Sequence, residues 1–414
     1  MQLKEKFNLT LYITVATAAL GYFVDLYDIL LFSAVRVKSL QDLGVHGEEI
    51  KNIGLNLLNW QLVGMVIGGI LWGILGDKKG RVSILFGSII MYSVANILNA
   101  YVQSVDQYRI LRFFAGIGLA GELGAGITLV SEIMPKGKRG FGTMIIASFG
   151  TLGVVLASIV SQVLGWRNAY ILGGVLGFVL LIFRFFIFES GLYKKAEKEN
   201  KQRGDLLYLF GTKYRAYKFI KSILIGLPIQ FTVMFFVTLS PELGKASGIE
   251  GVEASKVLII FYLANSFGDI ICSVVSQVLK SRKKAIGIFL GVTLFSFIYV
   301  GLIPIGNIYA FYLLFIFLGL GMGYWAVLLT NASEQFGTNL RATVTTSTPN
   351  LIRAFGIPIT YAFHYLTDIN LNTGVSLFTM QQALILLGCI FITISYYFLY
   401  ATDETFTKDL DYYE

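Results

Sequence analysis

The sequence predicts an all-α polytopic membrane protein, with twelve transmembrane helices in two pseudo-symmetric six-helix bundles. Three observations carry that expectation. The 414 residues are 55% hydrophobic and only 14% charged, with a mean hydropathy of +0.69, too little polar surface for a soluble chain of this length. Twelve apolar windows are each long enough to cross about 30 Å of hydrocarbon, which takes roughly 20 residues. Polar landmarks also recur at one fixed offset between the two halves of the chain.

The windows lie at about 9 to 35, 51 to 75, 83 to 103, 107 to 132, 141 to 163 and 168 to 188, then 219 to 240, 255 to 279, 285 to 304, 308 to 331, 345 to 367 and 379 to 400. They divide the chain into an N-terminal bundle (1–188), a linker (189–218), a C-terminal bundle (219–400) and an acidic tail (401–414). The opening MQLKEKFNLT runs into the first window without an A-x-A-like cleavage site, so the first span is expected to be retained. Alternate connections carry Lys78, Lys79 and Arg81, then Lys136, Lys138 and Arg139, then Lys280, Arg282, Lys283 and Lys284; the linker adds eight more Lys and Arg between Lys194 and Lys218. By the positive-inside rule both termini are cytoplasmic, in what is expected to be a bacterial inner membrane.

The same distribution accounts for the net charge of +8. It is a topogenic signal and a solvated or headgroup-facing surface, so nucleic acid is not an expected partner. Cys272 and Cys389 lie in apolar stretches, and His46 and His364 form no cluster, so neither a disulfide scaffold nor a metal site is indicated. No nucleophile with an adjacent base and no phosphate-binding Gly-x-x-x-x-Gly-Lys occurs, which excludes enzyme classes and ATP-driven transport by this chain alone. No cofactor is expected. The expected partners are a small-molecule solute, protons and the lipid bilayer, and the chain is expected to act as a monomer.

The repeat is seen in SEIMPKGKRG (131–140) and SEQFGTNLRA (333–342): Glu132 and Arg139 recur as Glu334 and Arg341, each 202 residues later. GILGDKKGR (73–81) has a degraded partner in SVVSQVLKSRKK (273–284), where Gln277 stands in place of Asp77. Parallel repeats about a membrane-normal axis are a transporter architecture.

At these residues the chain resembles the major facilitator superfamily. GILGDKKGRV is similar to that family's loop motif between spans two and three, matched at Gly73, Leu75, Asp77, Gly80 and Arg81; RFFAGIGLAGELGAG, from Arg112, is similar to its fourth-span motif. GYFVDLYDILLF (21–32) resembles the first-span G-x-x-x-E-x-x-D pattern of the metabolite:proton symporter branch, with Asp25 in place of the usual glutamate. The resemblance implies alternating access between two bundles. It also implies a gating role for Gly73, Asp77, Gly80, Arg81, Glu132, Arg139, Glu334 and Arg341, with Asp77 pairing to cytoplasmic Arg groups when the carrier is open to the outside. Its departures are the missing Asp in the second-half loop and Gly191 where the family has proline after Glu189 and Ser190.

Charges within spans cost a few kcal/mol each if left uncompensated at the bilayer centre, and so call for a reason. Asp25 and Asp28 fall roughly 5 to 9 Å outward of the midplane at 1.5 Å per residue. Arg112 shares that outer half, and Glu122 sits deeper on the same span. These four are the candidates for proton coupling. Asp269 and Arg353, of opposite sign and similar depth on spans eight and eleven, are candidates for solute binding, together with the polar and aromatic Tyr22, Gln230, Asn265 and Trp325. Gln61 and Asn96 are further neutral groups near mid-span. The alternative for the charges is a set of salt bridges that only hold helices together. For the neutral groups it is helix-to-helix hydrogen bonding.

The resulting expectation is a secondary transporter that takes up a small organic solute by proton symport, with an amino acid or organic carboxylate suited to Arg353, Arg112 and Asp269. A proton-coupled exporter of drugs or metabolites uses the same acidic groups. A transporter-like sensor would want an added soluble domain, which the short acidic tail does not supply.

Overall fold

The computed structural model describes residues 2–79, 81–134, 139–184, 206–302, 307–367, 376–406 and 408. The first half comprises α1 (Gln2–Asp42), α2 (Glu49–Lys79), α3 (Arg81–Asn99), α4 (Val105–Leu119), α5 (Glu122–Ile133), α6 (Arg139–Val163) and α7 (Trp166–Arg184). The second comprises α8 (Leu206–Phe210), α9 (Lys213–Ile225), α10 (Leu227–Phe231), a π-helical turn (Thr232–Val237), α11 (Ser240–Ala246), α12 (Ala254–Val278), α13 (Arg282–Leu302), α14 (Ile308–Met322), α15 (Trp325–Glu334), α16 (Arg341–Ala354), α17 (Gly356–Thr367) and α18 (Met380–Tyr400). Within the described residues, each of the twelve apolar windows falls on one helix or on consecutive helices. Among the described residues, nine helical segments are long and apolar enough to cross a membrane on their own. Large apolar side chains such as Leu71, Phe267, Phe295 and Tyr397 stand exposed on the outside, as a lipid-facing surface requires.

Four windows are broken, and the breaks have local causes. The fourth breaks between α4 and α5 within LAGELGAG, where small residues admit other chains against the backbone. A side chain on Gly124 would lie 2.2 Å from Thr346 of α16. The carbonyls freed at the break are met from outside the helix, Ile117 O by Trp72 Nε1 at 2.7 Å and Ala120 O by Asn350 Nδ2 at 2.8 Å. The tenth breaks between α14 and α15 at Gly323 and Tyr324, and there Asp269 Oδ1 accepts from the Ala326 N–H at 3.2 Å. The eleventh ends α16 at Ala354, just before Gly356 and Pro358, since Pro358 has no N–H to give the carbonyl four residues earlier. The seventh is divided at Gly226, with Pro228 opening α10, and then winds into the π-helical turn.

The halves meet along α2 with α16 and along α6 with α12. These are spans two with eleven and five with eight, the pairing that exchange of two equivalent halves generates. Within the first half α1 lies directly on α6, where a Cβ on Gly153 would sit 1.9 Å from the Phe23 carbonyl oxygen. Only glycine permits that approach.

At the face that carries the chain's end, the segment after α18 folds back under the bundle. Glu404 accepts hydrogen bonds from Ser281 Oγ and from the backbone N–H groups of Arg282 at 2.9 Å and Lys283 at 3.3 Å, so it caps the first turn of α13. Thr405 donates to Glu334 at 2.9 Å, and Arg139 reaches from the first half to the Lys408 carbonyl at 3.2 Å. Arg282 and Lys218, which the charge pattern assigned to a solvated or headgroup-facing surface, are instead buried, as is Lys221. Arg282 pairs with Glu334 at 3.2 Å, Lys218 donates to the Gln335 carbonyl at 3.1 Å and Lys221 to that of Ala401 at 2.7 Å. Buried cations must be matched by acceptors, and the loop ends provide them.

Two outcomes test this packing. Gly153→Ala is expected to lower the melting temperature of the purified protein, at a cost of about 1–3 kcal/mol for overpacking. Gly287→Ala, where the nearest atom to a new Cβ is at 3.7 Å, is expected to change it little. Burial pushes the Glu404 carboxyl up, but the hydrogen bonds from Ser281, Arg282, Thr405 and Phe406 outweigh it and hold the group below its ordinary value of 4.5. Stability from Glu404 is therefore fully present above that value and lost as pH falls through the lower one. The difference in melting temperature between wild type and Glu404→Gln is expected to be constant at neutral pH and to shrink on acidification below about pH 4.5.

Candidate functional site

Midway through the bundle the two halves line a shared cavity. The first half contributes Tyr22, Leu26, Ile29, Leu30 and Ser33 from α1, Leu58, Gln61, Leu62 and Met65 from α2, and Thr151 from α6. The second half contributes Gln230 and Met234, Phe261, Tyr262 and Asn265 from α12, Met322, Trp325, Ile352 and Arg353. Five of the six expected solute-binding residues thus line one space.

Each is placed by a feature of the fold. Trp325 opens α15 at the break in the tenth span, and its Nε1 donates to Tyr22 Oη across the halves at 3.0 Å. Tyr22 fits because Gly150 leaves room: a Cβ there would lie 2.2 Å from the Tyr22 ring. Arg353 occupies the last turn of α16, where a cation complements the unpaired carbonyls of the helix end. Its Nη1 donates to Asn350 Oδ1 at 3.3 Å, and its guanidinium lies 5.7 Å from the Trp325 ring centroid. Asn265 donates to the Gly319 carbonyl at 3.4 Å. Arg353 is the only charged side chain among the lining residues described.

Asp269 is the exception. It is fully buried, but it does not line the cavity, and its Oδ1 accepts from the Ala326 N–H near the start of α15 at the helix break. Its position behind Trp325 makes it a cap for a broken helix rather than a partner for an ammonium group in the cavity.

Asp25, Asp28 and Arg112 lie outside the cavity lining, all fully buried. Asp28 is packed against Gly173, where a Cβ would come within 2.2 Å of its Oδ1. Arg112 acts on it electrostatically, and the Asn96 amide stands beside it. The guanidinium itself donates to Gln61 Oε1 and Asn96 Oδ1, both at 3.3 Å. Phe32, Tyr108 and Tyr170 surround it with ring centroids at 5.8, 6.0 and 5.1 Å. Tyr108 and Tyr170 are fixed by a hydrogen bond of 2.6 Å between their hydroxyls. A guanidinium so placed is compensated by neutral acceptors and ring faces as well as by carboxylate charge. Glu122 begins α5 at the break in the fourth span, and its side chain lies outside the described residues.

Contacts between the halves flank the cavity on both sides. Toward the face opposite the chain's end, Arg36 pairs with Glu242 at 2.7 Å and donates to the Thr238 carbonyl at 3.2 Å, while Thr238 donates to Ser33 at 3.0 Å. Toward the other face, Thr128 and Thr345 share a hydrogen bond and Asn350 reaches Ala120. Of the expected gating residues, Gly73 lies against α16, with Thr343 Cα 3.4 Å from where its Cβ would be. Arg139 holds the tail, and Glu334 pairs with Arg282. Arg341 donates to the carbonyls of Ser333 and Phe336 at 3.4 and 3.3 Å and so holds the connection from α15 to α16. Asp77, Arg81 and Glu132 lie on helices but their side chains, and Gly80 altogether, fall outside the described residues.

Sequence reasoning missed Arg36 and Glu242. They sit one and two residues beyond the first and seventh apolar windows, which ended at 35 and 240. Reading helices past the hydrophobic stretch to the next charge would have found them.

This is the architecture of a membrane carrier with a central site between two bundles. The family model described as Major Facilitator Superfamily matches residues 14–361, and the chain belongs to that superfamily of solute transporters. Among curated proteins it is similar to a putative niacin/nicotinamide transporter of Bacillus subtilis (strain 168), 26% identical over 356 residues covering 82% of this chain and 84% of the relative. It is also 26% identical over 374 residues to a niacin transporter of Acinetobacter baylyi (strain ATCC 33305 / BD413 / ADP1), covering 81% and 82%. Among solved structures, a proton:xylose symporter bound to 6-bromo-6-deoxy-D-glucose superposes with a TM-score of 0.74 over 98% of both chains at 16% identity. That likeness is one of fold.

The closure opposite the chain's end has a direct test. Glu242→Ala leaves Arg36 buried without its anion, which costs about 3–5 kcal/mol in the closed state. In a background lacking Cys272 and Cys389, a cysteine at Ser33 is expected to react with a soluble maleimide at least about tenfold faster when Glu242→Ala is added. An unchanged rate would show that the pair does not hold that face shut.

Proposed function

We propose that the chain is a proton symporter that takes up a small organic carboxylate across a bacterial inner membrane, with the face that bears the tail in the cytoplasm. The observation that carries this reading is the division of charge: one cation, Arg353, in an otherwise neutral and aromatic cavity, and a separate buried Asp28 and Arg112 beside it. A single guanidinium near Trp325, Tyr22 and Tyr262 suits a monoanion on a flat or apolar body. With Asp269 turned to a helix end, no carboxylate stands among the described lining residues to meet an ammonium group, which favours a carboxylate over a zwitterion. Both relatives named above are niacin transporters or putative ones, and nicotinate, the anion of niacin, has this chemistry.

Asp28 supplies the proton site. With a proton on Asp28, Arg112 loses the anion it faces but keeps Gln61, Asn96 and three rings. This matches the arrangement seen, in which Arg112 donates to the two amides and not to Asp28. The loaded carrier therefore crosses with Asp28 uncharged and the Arg112 charge held by neutral acceptors and ring faces. Loss of the proton to the alkaline side restores the attraction of Arg112 for Asp28 and opposes a return with solute still bound. Release of the Arg36–Glu242 contact on one side, and of the contacts at Gly124 and Asn350 on the other, opens the site to each face in turn.

In proteoliposomes with an alkaline lumen, labelled nicotinate is expected to accumulate and to be released when the pH gradient is collapsed. Accumulation that ignores the gradient would remove the symport half of the reading. Nicotinate is expected to raise the melting temperature of the wild type but not of Arg353→Ala, and a shift that survived that change would remove Arg353 as the anchor.

A further inference from the structure

The cavity and the proton site are separate, yet symport requires that each sense the other. By linkage, a solute that binds better to the protonated carrier must raise its proton affinity by the same factor. The physical connection lies at Gln61. Among the described residues it is the one that both lines the cavity and hydrogen-bonds Arg112. Asn96, the other acceptor of Arg112, and the three rings around the guanidinium lie outside the cavity lining.

The backbone fixes this arrangement. Gly116, one turn after Arg112, lets α4 rest on α2 at this level: a Cβ there would lie 2.2 Å from the Gln61 carbonyl oxygen. The two helices are in backbone contact here, and the Gln61 side chain bridges from the cavity to Arg112 across that contact. That side chain joins the two sites through long hydrogen bonds, 3.3 Å at its oxygen and 3.5 Å at its nitrogen. Its Oε1 accepts from the Arg112 guanidinium, and its Nε2 donates to the Ile29 carbonyl. The amide N–H is thus easily given up to a better acceptor.

From this geometry, and resting on the proton-site reading above, we infer that Gln61 is the positioning residue that couples solute binding to proton binding. A carboxylate in the cavity takes the Nε2–H from Ile29. Hydrogen bonds in series polarise one another, so the amide oxygen becomes a stronger acceptor and Arg112 is held more firmly on Gln61, away from Asp28. Asp28 then keeps its proton while solute is present. When solute leaves, the amide relaxes and Arg112 is free to turn to Asp28. The sign is the one symport needs: solute and proton favour each other.

The test compares pH slopes, with [14C]nicotinate as probe and solute exchange measured in proteoliposomes at equal pH on both sides. For the wild type the half-saturation concentration is expected to rise about tenfold from about pH 5.5 to about pH 7.5, within the usual range of coupling between sites. Gln61→Leu removes both ends of the link. Gln61→Glu keeps an acceptor for Arg112 but has no N–H for the solute. In both, whatever their absolute half-saturation, the rise is expected to fall below about twofold. A role limited to holding Arg112 would be rescued by Gln61→Glu, and a wild-type slope in that variant would overturn the proposal. Thermal-shift titration with nicotinate at the two pH values gives the same comparison for a variant that binds without exchanging. Asp28→Asn separates the two readings. If it keeps the wild-type slope, or the wild type has none, the proton-site reading fails and this one with it. If Asp28→Asn flattens the slope and the Gln61 variants do not, only the role of Gln61 fails.

Discussion

The rest of the site depends on how the Arg112 charge is held in the middle of a bundle without being committed to a carboxylate. A guanidinium in a membrane interior is costly unless each donor and the charge itself are met. Here two amides accept from Nη1 and Nη2 and three ring faces surround the charge, while Nε has no hydrogen-bond partner among the described residues. A direct ion pair with Asp28 would be stronger and also inert, since breaking it strands two charges. Neutral partners hold Arg112 while Asp28 is uncharged, as the proposed proton role of Asp28 requires.

The broken helices serve the same end. A continuous span hides its backbone and offers a ligand only side chains; a break exposes carbonyls and N–H groups that must find partners. At the fourth span the partner is Asn350 of the other half, and at the tenth it is Asp269. The first break therefore doubles as a contact between halves, and the second fixes Trp325 against Tyr22. Arg353 lies at the end of a third shortened helix. Trp325, Arg353 and the Asn350 contact thus stand where helices stop, whereas Asp28 and Gln61 lie within unbroken helices.

The apolar windows and the offset of 202 residues made the span order and the repeat legible, because hydrophobic length and loop charge are properties of the chain alone. FVDLYD and Arg112 stood out for the same reason: charges in hydrocarbon are conspicuous. Their division of labour was not legible. Asp269 and Arg353 matched in depth and sign, yet one faces a helix end and the other the cavity, a difference set by rotation about the helix axis and by breaks that periodicity does not reveal. Gln61 and Asn96 looked like ordinary mid-span amides until α4 placed Arg112 between them. Arg282 read as a loop charge because sequence shows its neighbours in the chain and not Glu334, 52 residues away. Arg36 and Glu242 were lost to windows that ended where hydropathy fell rather than where the helix did.

The central claim is that one carboxylate, Asp28, carries a proton across with each solute while Arg112 is held by neutral groups. The most direct measurement is the lumenal pH of pyranine-loaded proteoliposomes during entry of nicotinate down its own gradient, with no pH difference imposed and protein-free vesicles as baseline. The account predicts that the lumen acidifies in step with entry. Nicotinate that entered at the same rate with the lumenal pH unchanged would contradict it.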